Sequence, residues 1–185
     1  MPARCSTPAL RQATENMHVT ILTAADAPQY RRLMLHAYEH AADAFTSTAE
    51  ERAAEPESWW VQRIADPQGH RVVFGAFCEN ELVGTVALEL SRKPKTRHKV
   101  HVIGMYVLAE CRGAGVGKAL LEAAVEYARS SPGARSMTLT VTEGNEPAIA
   151  LYRAFGFEVF GTEPMAILTP GGFKAKVHMW RSIEK

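Results

Sequence analysis

Three glycines lie within five residues, at Gly113, Gly115 and Gly117, and they follow an apolar segment. Glycine leaves the backbone bare, so amide N–H groups can approach an anion at the N-terminus of a helix. Apolar residues at helical spacing from Leu120 to Ala128 predict that such a helix begins at this turn. The turn is therefore interpreted as a phosphate-binding element.

The spacing of this turn excludes two common phosphate loops. A Walker loop needs a second glycine before a Lys-Ser/Thr pair, but Arg112 stands at its first glycine position and Ala119 at its hydroxyl position. A dinucleotide-binding fingerprint fails because Lys118 occupies its third glycine position. A basic residue followed by Gly-x-Gly at a helix start remains, which predicts a pyrophosphate site with no metal ligand.

The composition indicates an ordinary globular domain. The chain has 185 residues, of which 46% are hydrophobic and 22% charged, and its net charge of +1 favours neither nucleic acid nor membrane as a partner. The basic stretch Arg92–Lys99 has no interleaved aromatic residues and is interpreted as a solvated hairpin loop. No apolar run approaches the ~18 residues of a membrane span.

The cysteines bear on the cellular compartment. They are odd in number and far apart, and they lack CxxC spacing, which predicts a reduced, cytoplasmic location and no zinc site. They are Cys5, Cys78 and Cys111.

Alternating and helical patterns predict an α+β domain over residues 18–185, after a loose tail over 1–17 in which Met17 is an alternative start. The expected architecture is a mixed, mostly antiparallel sheet of about six or seven strands, flanked by about four helices. The strands are predicted at Val19–Leu22, Arg71–Cys78, Leu82–Leu90, Lys99–Val107, Ser136–Thr142, Phe157–Phe160 and Phe173–Trp180. The helices are predicted to start near Asp26, Pro56, Val116 and Asn145.

Two segments together resemble the GNAT superfamily of N-acetyltransferases. Arg112–Gly117 is similar to the Arg/Gln-x-x-Gly-x-Gly/Ala element of the family, placed between a strand and a helix. Leu139–Phe157, "LTVTEGNEPAIALYRAFGF", is similar to the strand, Asn, Ala, Leu-Tyr and Gly-Phe sequence of the family. The resemblance covers about Arg71–Trp180, and its specificity comes from the combination, because the glycine element alone is a weak signal.

The resemblance implies coenzyme A, in the form of acetyl-CoA, as cosubstrate and no metal. Members of the family bind the pyrophosphate on backbone amides, and Lys118 adds a charge in the same helical turn. The matching residues here are Arg112, Gly113, Ala114, Gly115, Val116 and Gly117. The resemblance assigns the pantetheine contacts to the backbone of Met105, Tyr106 and Val107. Asn145 matches a contact to the cofactor arm and is equally a good helix N-cap, and both interpretations remain open.

The resemblance also implies the two proton-transfer groups. Tyr152 matches the general acid that protonates the departing thiolate; its alternative role is packing on the sheet. His101 stands six residues before Val107, where some branches of the family place a base. Strand parity predicts that His101 shares a face with Ile103, Met105 and Val107. Glu89 and a water relay remain alternative bases.

The predicted function is direct transfer of acetyl from acetyl-CoA to a primary amine in a ternary complex. The alternative is a non-catalytic domain that binds acyl-CoA and regulates a partner; the presence of Tyr152 favours the enzyme. The acceptor is open between a small amine and a peptide or protein amine, and a homodimer is also open. The resemblance places the acceptor against aromatic and acidic residues that would suit a small cationic amine. They are Phe45, Glu50, Glu51, Trp59, Trp60 and Phe173.

Overall fold

The structure, a computed structural model, describes residues 17–184. Residues 1–16 of the predicted tail lie outside the described residues. The first strand, β1, is Met17–Ile21, so Met17 belongs to the sheet rather than to the tail. None of the helices in the described residues is long and apolar enough to cross a membrane.

A single seven-stranded sheet forms the centre of the domain, with strand order β1-β2-β3-β4-β5-β7-β6. The remaining strands are β2 (Arg71–Cys78), β3 (Glu81–Leu90), β4 (Lys99–Val107), β5 (Ser136–Thr142), β6 (Glu158–Thr169) and β7 (Gly172–Ser182). Only the β4–β5 pair is parallel; the other neighbours in the described sheet are antiparallel. The predicted α+β fold is confirmed.

Helices cover both faces of the sheet. They are α1 (Ala27–His40), α2 (Ala49–Ala53), α3 (Glu57–Ile64), α4 (Val116–Ser130) and α5 (Glu146–Ala154). The short α2 is an additional helix that the sequence did not predict. It forms because Thr48 and Glu51 make a reciprocal capping box at its start.

The sheet separates two hydrophobic cores. One core lies on the α1–α3 face and includes Met34 and Trp60, each with 1% of its surface exposed. The other lies on the α4–α5 face and includes Leu121 and Met179, which are fully buried. A strand residue can therefore be assigned to a face by the core that it joins.

A β-bulge in β4 changes which face its side chains reach. Ile103 pairs with Ala87, and Tyr106 pairs with Thr85, so β4 carries one residue more than β3 across this interval. Gly104 lies inside the bulge with φ +59°, a conformation that glycine adopts without a Cβ penalty.

The bulge makes the predicted parity wrong. Ile103 joins the core of the α1–α3 face, whereas Met105 and Val107 join the core of the α4–α5 face. His101 lies two residues before Ile103 and lines a cavity with Trp59 of α3. His101 therefore faces the side of the sheet opposite to Met105 and Val107.

The parallel strands β4 and β5 diverge after a short contact. Their described pairing runs over four residue pairs, from Lys99↔Ser136 to Val102↔Leu139. Beyond these pairs the two strands separate, and we call the space between residues 103–107 and 140–142 the β4–β5 opening. Main-chain groups of β4 along this opening have no ladder partner on β5.

Candidate active site

The glycine turn, Arg112–Gly117, forms the N-terminus of α4. Gly115 is the N-cap with φ +85°, and Gly113 has φ +79°. A Cβ built on either glycine would meet no atom within 4 Å, so the space over the turn is open. The first α-helical bond runs from the Ala119 N–H to the Gly115 carbonyl over 3.0 Å. The amides of the first turn before it point outward and can bind an anion.

Gly117 has a different role from the other two glycines. A Cβ there would lie 3.3 Å from Leu151 Cδ2 and 3.4 Å from Met105 Cε. These distances are tighter than ordinary van der Waals contact, so Gly117 allows α4 to approach α5 and β4 closely. Gly117 therefore serves close packing, whereas Gly113 and Gly115 leave space open over the turn.

Arg112 contacts β4 rather than standing free at the edge of the turn. Its Nε donates to the Val107 carbonyl over 3.1 Å, and its guanidinium lies 5.7 Å from the centre of the Tyr106 ring. Lys118 is exposed in the first turn of α4. Arg112 thus links the glycine turn to the end of β4, a contact that the sequence did not predict.

Tyr152 approaches the opening from the α4–α5 face. Its side chain packs edge-on against Phe157, with 5.9 Å between ring centres, and its hydroxyl lies 3.5 Å from Met105 Sδ. The residue is 7% exposed, and this burial raises the pKa of Tyr152 to about 12. The phenol is therefore protonated at neutral pH, and burial also makes it a weaker acid than a free tyrosine.

His101 lies on the other face of the sheet, two residues before the opening begins. Its Nδ1 lies 3.0 Å from Thr138 Oγ1 on β5. Burial lowers the pKa of His101 below its usual 6.5, while the charge of Glu89 and the bond to Thr138 act in the opposite direction. The ring is therefore neutral at pH 7. When Nδ1–H donates to Thr138, the Nε2 lone pair is free to accept a proton.

Glu89 is engaged by an arginine. Arg71, Glu89, His101 and Thr138 occupy successive register positions across β2, β3, β4 and β5. Arg71 Nη2 donates to Glu89 Oε1 over 2.5 Å. The carboxylate thus acts on His101 through its charge while it is held in an ion pair with Arg71.

A cavity of about 1120 Å³ lies beside this row of residues, between α3 and the sheet. Of the six predicted acceptor residues, Trp59 is the one that lines it. The others lie elsewhere: Trp60 is in the core, Phe45 packs on Tyr38, Glu50 and Glu51 are on α2, and Phe173 is exposed on β7. Contact of the other five residues with an acceptor stays a prediction.

Residues 42–45 cross the opening on the α1–α3 face. At one end, the Phe45 ring lies 6.5 Å from that of Tyr106 on β4. At the other end, Thr142 Oγ1 donates to the Asp43 carbonyl over 2.6 Å, and Lys176 Nζ donates to the Ala44 carbonyl over 3.2 Å. This short segment spans β4 and β5 where they separate, and sequence reasoning missed the residues that hold it.

Asn145 is the N-cap of α5, and its side chain accepts from the Ala148 N–H over 3.4 Å. The capping interpretation is confirmed, and the contact with the cofactor arm stays a prediction. Sequence reasoning also missed Arg71 and Thr138, because their proximity to His101 depends on strand register.

Comparison with known proteins places the chain among acetyltransferases. Residues 30–157 match the family model described as the acetyltransferase (GNAT) family. The L-amino acid N-acetyltransferase AaaT of Escherichia coli K12 is 29% identical over 122 residues, which cover 66% of this chain and 74% of that protein. The N-alpha-acetyltransferase RimI of Mycobacterium tuberculosis is 34% identical over 107 residues, 57% of this chain and 63% of that protein.

Solved structures share the fold. A phosphinothricin acetyltransferase (Pat) from Sinorhizobium meliloti, in complex with AcCoA, has a TM-score of 0.77 at 23% identity and covers 90% of this chain and 88% of its own. The putative acetyltransferase yncA from Salmonella typhimurium, with acetyl-CoA, has a TM-score of 0.76 at 21% identity and covers 92% and 95%.

Proposed function

The chain belongs to the GNAT family of acetyltransferases and is an acyltransferase, and we propose that it transfers acetyl from acetyl-CoA directly to a neutral amine at the β4–β5 opening. One observation carries the proposal: Tyr152 contacts Met105 at this opening from the α4–α5 face, and His101 lies on the opposite face of β4, two residues before the opening begins. The glycine turn begins five residues beyond the last residue of β4.

The residues present fit acetyl-CoA. Open space over Gly113 and Gly115 leaves room for a pyrophosphate on the first-turn amides of α4. Beyond the turn, the β4 backbone over Met105–Val107 can pair with the amides of the pantetheine arm as an added strand would. The bound thioester supplies the acyl group and a thiolate leaving group.

The proton transfers are assigned by face. On the α4–α5 face, Tyr152 gives its hydroxyl proton to the departing sulfur. On the α1–α3 face, His101 Nε2 accepts the proton of the attacking amine. Because of the bulge at Gly104, β4 has one residue whose main chain is not paired with β3. The N–H group of this residue is suited to stabilise the negative charge that develops on the acetyl carbonyl oxygen.

This separation favours a ternary complex. Acid and base act on different partners at the same time, and no acetyl group has to be stored on the protein. The named relatives act on amino acids or on N-terminal amines, which supports an amine as the acceptor here. Release of free CoA from acetyl-CoA, measured against a panel of amines, tests the proposal. Binding of acetyl-CoA with no CoA release for any amine would contradict it.

The proposed role of His101 predicts that the pH profile of kcat/KM has an acid limb, that is, a fall at low pH. Activity should fall as pH drops through the pKa of the imidazole, because the protonated ring cannot accept a proton. Since burial lowers that pKa, the midpoint is expected below 6.5. In His101→Gln the limb should disappear or move to the pKa of the acceptor, while acetyl-CoA still binds.

His70→Gln is the matched control, because His70 lines the same cavity but is exposed and lies outside the row of residues around His101. It should retain the limb. Glu89 and His178 also act on the charge of His101, so the profile should be recorded at constant ionic strength. An unchanged rate and limb in His101→Gln would remove the imidazole from the mechanism.

A further inference from the structure

The cavity beside His101 is strongly basic. Five cationic side chains and two carboxylates line it, a formal charge of +3 with its histidines neutral. The cations are Arg63, Arg71, Arg92, Lys93 and Lys99, and the carboxylates are Asp66 and Glu89. A site built to attract a cationic amine would show the opposite balance.

The two carboxylates are already engaged. Asp66 accepts the backbone N–H groups of Gln68, His70 and Arg71 over 2.8–3.0 Å, and these bonds lower the pKa of its carboxyl. Glu89 is paired with Arg71. Neither group is therefore available to hold an ammonium.

Two arginines of this wall stand next to the row of residues around His101. The Nε atoms of Arg63 and Arg71 are buried and have no hydrogen-bond partner among the described residues. Because these Nε atoms are buried, a ligand oxygen would meet the terminal guanidinium nitrogens instead, and the Arg71 side chain is 25% exposed. The Arg63 guanidinium also lies 4.8 Å from the centre of the Trp59 ring, which lines the same cavity.

We infer that this cavity holds an acceptor whose molecule carries an oxyanion, a carboxylate or a phosphate, beside the amine that is acetylated. The inference rests on the proposed function and names the substrate class of that site. Arg63 and Arg71 bind the oxyanion, and the more exposed Arg92, Lys93 and Lys99 attract it to the rim. The predicted preference for a simple cationic amine is replaced by one for an amine that also bears a negative charge.

The sheet limits the size of this acceptor. Arg71 and His101 lie two strands apart, which is roughly 10 Å between backbones. The Arg71 guanidinium points toward the intervening strand β3, where it pairs with Glu89. The amine and the oxyanion must therefore lie within a few bonds of each other, as they do in an amino acid or an aminoalkyl phosphate.

The positive field also assists the chemistry. Nearby cations disfavour the ammonium form and lower the pKa of the bound amine, so a larger fraction is neutral and nucleophilic. The oxyanion offsets the repulsion during entry. The cationic side chains that line the cavity thus select the acceptor by its oxyanion and also increase the neutral, nucleophilic fraction of its amine.

Matched acceptor pairs test this inference. We would compare L-leucine and L-methionine with their α-amides, and phosphoethanolamine with ethanolamine. The wild-type protein should acetylate the anionic member of at least one pair with a kcat/KM about tenfold or more above its neutral partner. The amino acid pairs and the phosphate pair distinguish the two sources of negative charge.

Arg63→Gln should raise the KM of the anionic acceptor about tenfold or more and leave the KM of its neutral partner and the kcat little changed. Arg63→Lys should recover part of the loss. Lys95→Gln is the matched control, because Lys95 lies in the same exposed loop as Lys93 and does not line the cavity. Equal use of both members of every pair, unaffected by Arg63→Gln, would overturn the inference.

A second measurement does not need turnover. In Trp180→Phe, the tryptophans are the half-buried Trp59 and the buried Trp60. Iodide should then quench fluorescence more strongly than caesium, and Arg63→Gln should reduce this difference. Equal quenching by the two ions would overturn the basic cavity. Absence of CoA release with every amine, alongside the iodide preference, would count against the proposed function and not against the cavity.

Discussion

Replacement of Tyr152 by phenylalanine is expected to lower kcat by about 10- to 1000-fold and to leave the KM for acetyl-CoA nearly unchanged. The ring packing against Phe157 is kept, and the hydroxyl beside Met105 Sδ is lost. The thiolate would then have to leave without a proton donor. Initial rates of CoA release at saturating acetyl-CoA measure the effect.

Tyr127→Phe is the control for this substitution. Tyr127 also packs edge-on against a phenylalanine, Phe74, next to the same core. It lies on α4, and this substitution should leave kcat within about twofold of wild type.

Because burial raises the pKa of Tyr152 to about 12, loss of its proton should cause no fall in rate at moderately alkaline pH. Full activity of Tyr152→Phe would mean that the thiolate leaves unassisted.

Gly115→Glu is expected to abolish the rise in Tm that acetyl-CoA causes in the wild-type protein. The new side chain would project into the open space over the first-turn amides and place a negative charge where a pyrophosphate binds. The substitution also forces a non-glycine residue to φ +85°, which costs about 1–2 kcal/mol whether or not ligand is present.

Gly133→Glu separates strain from binding. Gly133 has φ +80°, and a Cβ there also meets no atom within 4 Å, but it lies in the turn at the other end of α4. The two variants should lose similar stability without ligand, and only Gly133→Glu should keep the full Tm shift. A folded Gly115→Glu protein that acetyl-CoA still stabilises would remove the glycine turn from the binding site.

Local signals in the sequence were sufficient for most of the fold. Strict alternation predicted β5, and the N-cap residue Asn145 predicted the start of α5; both are confirmed within one residue. The glycine turn was predicted correctly as the start of α4, since glycine spacing and helical periodicity both depend on neighbouring residues. Elements of this kind depend little on distant parts of the chain.

The composition of the site depended on long-range pairing and was predicted less well. The predicted facing of the β4 side chains was wrong because β4 contains a bulge. A bulge depends on the pairing with β3, and the presence of Gly104 in the sequence does not by itself predict one. The basic cavity was missed because Arg63, Arg71 and Lys99 come from three elements that meet only in the folded sheet. Trp59 and Trp60 are adjacent in sequence and were both predicted to contact the acceptor. Of the two, Trp59 lines the cavity and Trp60 lies in the core.

The short contact between β4 and β5 also affects how fast backbone amide hydrogens exchange with solvent. Four residue pairs connect the first four strands to the last three within the described sheet, so the opening is the place where amide hydrogens of a central strand meet solvent. Exchange there should be fast without ligand and slow when a cosubstrate completes the ladder, whereas β2 and β3 should be equally protected in both states. Deuterium uptake across residues 103–107 would thus report occupancy directly, because the ligand takes the place of a missing stretch of strand.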